Sequence, residues 1–262
     1  MKRRLAAALV TLGLCATAWG QDTQFAIDKK SCPPQGKTKS GAAISKTSDD
    51  GLRNQAKRHL PAGNQPVTLE VVDFKTLQDD ANQITGVDAA KTKTKFTVTT
   101  RLHLQHLNTA HGTVSEGDLV QVDGFVTKAH PEGSESVNCA AADGTDVHIS
   151  IGRTDLATEF DGIVAEMIPQ TLKKQPGWHD ANVLNGIHAA KLRVLVVGGL
   201  TYDNEHFVNA DERHPKHGQP ARLSLWEIHP ITAFFVCESG NCDPAQHSQW
   251  IALTDWFRKH TT

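Results

Sequence analysis

The chain has no G-x-S-x-G nucleophile elbow, no phosphate-cradling GxxxxGK[ST] loop, no HExxH helix and no GxGxxG turn. The common sequence signatures of serine hydrolases, nucleotide phosphotransferases, zincins and dinucleotide enzymes are therefore missing. It also has no excess of positive charge: 27 Lys and Arg face 29 Asp and Glu, a formal net charge of −2. Non-specific nucleic-acid binders need cationic surface to displace counterions from phosphates, so this balance argues against nucleic acid as a partner. Beyond Gly20 no apolar run is long enough to span a bilayer. The cysteines lack a CxxC pair, which disfavours an all-thiolate zinc site.

What is present begins with MKRRLAAALVTLGLCATAWG, a basic start, an apolar run and small residues at Ala18 and Gly20. Those parts predict a signal peptide over residues 1–20 and a mature chain starting near Gln21, in the periplasm or outside the cell. A lipoprotein reading would use Cys15, but Leu14 stands where a small residue is wanted. Loss of Lys2, Arg3 and Arg4 with the leader leaves 24 cations against 29 anions, so the mature protein is mildly acidic. Four cysteines remain, and an even count in an exported chain predicts two disulfides. The turn residues in CESGNC make Cys237–Cys242 the natural local bridge, which leaves Cys32 and Cys139 for the second.

Residues 21–66 are rich in Lys, Ser, Gly, Pro and Gln with no apolar period, and read as a poorly ordered polar arm. Residues 67–262 read as the folded domain. VTLEVVDF suggests a short strand and FKTLQDDANQI a brief helix. Alternation in KFTVTTRLHLQHL predicts a half-buried strand over 95–107, followed by strands at Leu119–Thr127 and in DVHISI. FDGIVAEMIP extends the sheet or adds a strand beside it. Helical spacing of Trp178, Ala181, Val183, Leu184 and Ile187 then precedes two long strands, LRVLVVGGLTY with a Gly198–Gly199 kink and RLSLWEIHPITAFFVC. HSQWIALTDWFRKH closes the chain as an amphipathic helix. Strand, strand, strand, helix, strand, strand resembles the OB-fold, a five-stranded Greek-key barrel with its helix between strands three and four.

Three polar fragments interrupt these apolar strands: DVH with Asp146 and His148, YDNEH with Asp203 and His206, and WEIHP with Glu227 and His229. Residues two apart on a strand share a face, so Asp146 pairs with His148 and Glu227 with His229. The D-x-H, YD-x-x-H and WEIHP elements, over Leu119 to Cys237, resemble a group of exported bacterial OB-fold-like proteins. That resemblance implies the fold and a shared polar cluster, and it carries no activity with it. The OB strand order, supplied by the resemblance, sets the third strand beside the fifth and so DVH beside WEIHP.

Neutral imidazoles and carboxylates are the donors of zinc and other divalent transition metals. His148, His206, His229, Asp146 and Glu227 are therefore the candidate metal ligands, with Glu166 and Asp203 as candidate catalytic carboxylates for metal-assisted hydrolysis. Two other readings stand beside this one. The barrel could be a non-catalytic binding module for an oligosaccharide, single-stranded nucleic acid or peptide, with Tyr202, Phe207 and Trp226 as its ligand-binding aromatic residues. Alternatively, the His–carboxylate pairs only satisfy one another and hold the fold in register. His103, His106, His111, His214 and His217 read as solvated residues.

Overall fold

The computed structural model describes residues 32–63, 65–140, 145–169, 175–208 and 221–261. The expected leader, His214 and His217 lie outside them. In chain order the elements are α1 (Asp49–Lys57), β1 (Val67–Leu69), α2 (Val71–Thr85), α3 (Val98–Arg101), β2 (Leu107–Asn108), β3 (Thr113–Val114) and β4 (Leu119–Pro131). There follow β5 (Val147–Gly152), β6 (Gly162–Met167), α4 (Ala181–Ala189), β7 (Arg193–Tyr202), β8 (Trp226–Cys237), β9 (Ile251–Ala252) and α5 (Leu253–Thr261).

Five strands close on themselves in the order β4–β5–β6–β8–β7, with β7 returning to β4. All neighbours are antiparallel except β6 and β8, and α4 lies between β6 and β7 in sequence. This is the OB-like Greek-key barrel expected, with the C-terminal helix α5 after it. Closure depends on β4, whose first half pairs with β7 and second half with β5, the changeover falling at Phe125. Gly124 permits the sharp bend there, because a Cβ would collide with the Gly152 carbonyl. The glycine kink in β7 is also real: pairing with β8 shifts register around Gly198, where a side chain would meet the Pro230 carbonyl.

One expected strand is absent. The alternation in 95–107 gives way to the one-turn helix α3, started by a capping box in which Thr97 and Thr100 satisfy each other's backbone N–H. Arg101 is buried: its Nε and Nη2 grip Glu116 at 2.8 and 2.7 Å, and Nη2 also reaches the Tyr202 carbonyl at 2.8 Å. The period-two pattern was a run of Thr and Leu that tertiary contacts recruit differently. As a result DVHISI is the second barrel strand rather than the third, and FDGIVAEMIP supplies the third, beside WEIHP.

Ile149, Ile151, Ile163, Ala165, Met167, Val194, Val196 and Ile228 fill the barrel interior with other apolar side chains. Helix α2, longer than expected, covers the start of β8. Gln78 accepts from the Leu225 N–H at 2.7 Å and donates to the Tyr202 hydroxyl at 3.1 Å, while the Trp226 indole donates to the Leu77 carbonyl at 2.9 Å. Within the polar arm, Ser48 caps α1, whose buried residues are Gly51, Arg53, Asn54 and Lys57. Among the described residues no helix is long and apolar enough to cross a membrane.

Both expected disulfides form, Cys32–Cys139 and Cys237–Cys242. They close loops of very different length, with sequence separations of 107 and 5. Because a cross-link restricts the unfolded chain more as its loop lengthens, C32S/C139S should lose about 3–5 kcal/mol in urea unfolding. C237S/C242S should lose distinctly less; equal losses would contradict this account.

Candidate functional site

Strand registry lines up the site. His130 on β4 lies directly across from His148 on β5, and His148 directly across from Glu166 on β6. The parallel register of β6 with β8 pairs Val164 with Glu227 and Ala165 with Ile228. One residue further along, Glu166 therefore meets His229. Four adjacent strands thus contribute one row of imidazole and carboxylate on the outer face of the barrel, while Ile149, Ala165 and Ile228 alternate inward. A second row flanks the first, since the Glu132 N–H donates to the Asp146 carbonyl at 2.8 Å just beyond β4 and β5.

At the deep end, His229 Nε2 is 3.0 Å from Glu166 Oε2 and 3.7 Å from Asp146 Oδ2. The ligand atoms of these three residues all lie within 4.8 Å of one another. The other polar atoms of Asp146 and His229 are committed. Asp146 Oδ1 accepts from the Asn138 amide at 2.8 Å, and His229 Nδ1 lies 2.6 Å from the Lys57 carbonyl. A carbonyl only accepts, so the proton is on Nδ1, and Nε2 is the atom turned toward the two carboxylates. Asp146 Oδ2, Glu166 Oε2 and His229 Nε2 are buried without a well-aligned hydrogen bond.

Next to this triad Lys57 reaches in from α1. Its ammonium is 2.8 Å from Asp203 Oδ2, 3.3 Å from Glu227 Oε1 and 3.8 Å from Glu166 Oε2, with all four side chains almost wholly buried. Burial works against the ammonium, yet Asp203, Glu166 and Glu227 together hold it charged, well above the ordinary lysine value. Asp203 answers in kind. Burial would raise its carboxyl, but Lys57, His206 and Arg53 outweigh that and keep it well below the usual carboxylate range.

The neighbouring acids are less fully neutralised. Burial pushes Glu227 up to about 7, with Lys57 opposing and Glu166 and Asp203 adding to the rise. Burial likewise pushes Glu135 up to about 8, against Lys57 and with Glu166 and Asp146. His229 goes the other way. Burial disfavours its charged form, but Glu166 and Asp146 carry it to about 10. The face therefore holds more carboxylate than its own cations can neutralise, and it favours positive charge at His229 Nε2.

The expected site residues separate into groups. Asp146, Glu166 and His229 form the triad, and His148 lies on its far side, 3.8 Å from Glu166 Oε1. His206 and Asp203 pair with each other at 3.2 Å, and Glu227 is shared between Lys57 and Arg222. None of these last three belongs to a cluster of potential metal donors among the described residues. Tyr202 and Trp226 are fully buried, edge-on to one another at 5.2 Å, and Phe207 is 7% exposed, so none offers an open ring for stacking.

Several residues were missed. His130 and Glu132, two apart in AHPEG, carry the same spacing signal as DVH, but the strand was expected to end at Thr127 rather than Pro131. Lys57 and Arg53 carried no signal, because apolar periodicity cannot reveal a helix face that is buried and charged. No protein-family model and no curated protein sequence matches the chain.

Two outcomes test the electrostatics. Lys57→Ala leaves three carboxylates buried together and should lower stability by about 3–5 kcal/mol. In acid, an unfolded aspartate takes up a proton near pH 4 while folded Asp203 does not, so its contribution is full above that pH and is lost as pH falls further. Asp203→Asn should flatten the acid limb of the stability–pH curve; an unchanged limb would place acid sensitivity elsewhere.

Proposed function

We propose that this chain is an exported OB-like protein that binds a divalent transition metal, zinc or one of similar preference, through Asp146, Glu166 and His229. The observation that carries the reading is the convergence of three buried donor atoms, one from each residue and none in a well-aligned hydrogen bond. The supports behind them fit as well. Metal-binding imidazoles usually donate their second N–H to a carbonyl or carboxylate, as His229 does to Lys57, and metal-binding carboxylates are usually anchored, as Asp146 is by Asn138. One nitrogen and two oxygens suit zinc or another ion of borderline hardness. The two disulfides accord with export to an oxidising compartment.

Hydrolysis through this ion would need a coordination position within reach of a substrate. Asp146 and His229 are fully buried, so the geometry favours an ion that ties β5, β6 and β8 together over one that attacks a bond. Glu166, read from sequence as a base, is better placed as a ligand. On the outer face of the third strand, part of the surface where OB barrels often take oligonucleotides or oligosaccharides, Glu166 meets Lys57 of α1 instead.

A second reading draws on Lys57. The protein supplies its own cation to Asp203, Glu227 and Glu166, and an imidazolium at His229 would complete a network that needs no metal. Metal analysis separates the two. Untagged protein loaded with zinc and desalted should retain it, melt higher than chelator-treated protein, and lose both properties in His229→Ala. If chelator leaves the melting temperature unchanged and no metal is retained, the network reading replaces this one.

A further inference from the structure

The row that ends in the buried triad has an outer end that the proposed function does not use. His130, Glu132 and His148 also bring one potential ligand atom each within 4.8 Å of one another. Glu132 Oε1 is 3.1 Å from His148 Nδ1 and 3.6 Å from His130 Nδ1. The two imidazoles lie nearly parallel across β4 and β5, centroids 4.8 Å apart, so both present the same edge to the carboxylate. Unlike the triad this cluster is reachable: the His130 and Glu132 side chains are 30% and 24% exposed, while His148 is buried behind them.

Glu166 stands between the two groups. Its Oε1 is 3.8 Å from His148 Nδ1, and its Oε2 is 3.0 Å from His229 Nε2. One carboxylate with an oxygen on each side is the arrangement by which a bridging ligand serves paired metal ions.

We propose that His130, Glu132 and His148 form a second divalent-cation site, open to solvent and joined to the buried one through Glu166. The proposal rests on the metal-binding reading of the triad for its bridge, while its own ligands are separate residues. Ordinary surface ion pairing does not account for the grouping. Arg258 with Asp255 and Lys75 with Asp79 show what exposed ion pairs on this protein look like, each joining a long flexible cation to an acid on the next helical turn. Here two imidazoles are fixed side by side by strand pairing, with His148 Nδ1 turned toward the carboxylates of both Glu132 and Glu166. Two imidazoles and a carboxylate fill three positions, and exposure at the rim leaves the others to water.

Cobalt(II) is the probe, since its visible absorption reports the donor set and its titration gives stoichiometry. Wild-type protein should bind two equivalents. Glu132→Gln, which keeps size and removes the charge, should bind one and weaken the other by at least tenfold, as should His130→Ala on an exposed position. His229→Ala should remove the buried equivalent and retain the outer one. Glu166→Gln should weaken both steps. One equivalent in wild type, lost in His229→Ala and untouched in His130→Ala, overturns the outer site and leaves the buried one standing. One equivalent lost in His130→Ala and untouched in His229→Ala retains the outer site and overturns the buried one. Two equivalents of which Glu166→Gln weakens only one overturns the bridge, and no bound cobalt overturns both sites. Circular dichroism of each variant confirms that a loss is not a loss of fold.

Discussion

The ammonium of Lys57 is the contact on which the architecture turns. It enters from the arm, lies 2.8 Å from Asp203 and 3.3 Å from Glu227, and does so where water is excluded. Three carboxylates drawn onto one barrel face would repel one another strongly in low dielectric, so this face cannot be closed without a cation. Arm and barrel are consequently one structure. The disulfide from Cys32 to Cys139 ties the arm to the loop after β4, and α1 then delivers Arg53 and Lys57 to acids held by β6, β8 and the loop after β7. His229 adds a second fastening in the reverse direction by donating to the Lys57 carbonyl.

This explains why β8 is buried on both faces although it belongs to an antiparallel-rich barrel. Trp226 and Ile228 point into the apolar interior, while Glu227 and His229 point out, and the outside is not solvent but α1. An outward-facing carboxylate and imidazole look incongruous in a hydrophobic strand only when the strand is considered by itself. Their partners lie about 170 positions earlier in the chain, on a helix that no apolar stripe announces.

Barrel topology was legible because its strands stand out as alternating or continuous apolar runs between turn residues, and α4 falls before the last two of them. Its start was not legible. Thr97, Val98, Thr99 and Thr100 have good strand propensity, and what overrides it is a capping box together with Arg101's buried grip on Glu116. That displacement by one strand altered the reasoning about the site without destroying it. DVH is not beside WEIHP; β6 separates them, and Glu166 is the residue that fills the gap. The two-residue spacings therefore identified which side chains share a face, whereas the identity of the residue between them depended on pairing.

The same row also bears on how metal and ammonium can coexist. Lys57 and His229 address the same oxygen of Glu166, Oε2, the imidazole more closely at 3.0 Å and the ammonium at 3.8 Å. A divalent ion at the triad would therefore take the place of the proton on His229 Nε2, not that of Lys57, whose closest acid is Asp203. Glu135 and Glu227 are raised toward neutrality, first by burial and then by the acids around them. Exchanging one proton for a dication adds a single positive charge where the field of those acids is strongest. On that argument the lysine is the clasp that allows the face to fold, and the proposed ion would be held by the acids and imidazole beside it.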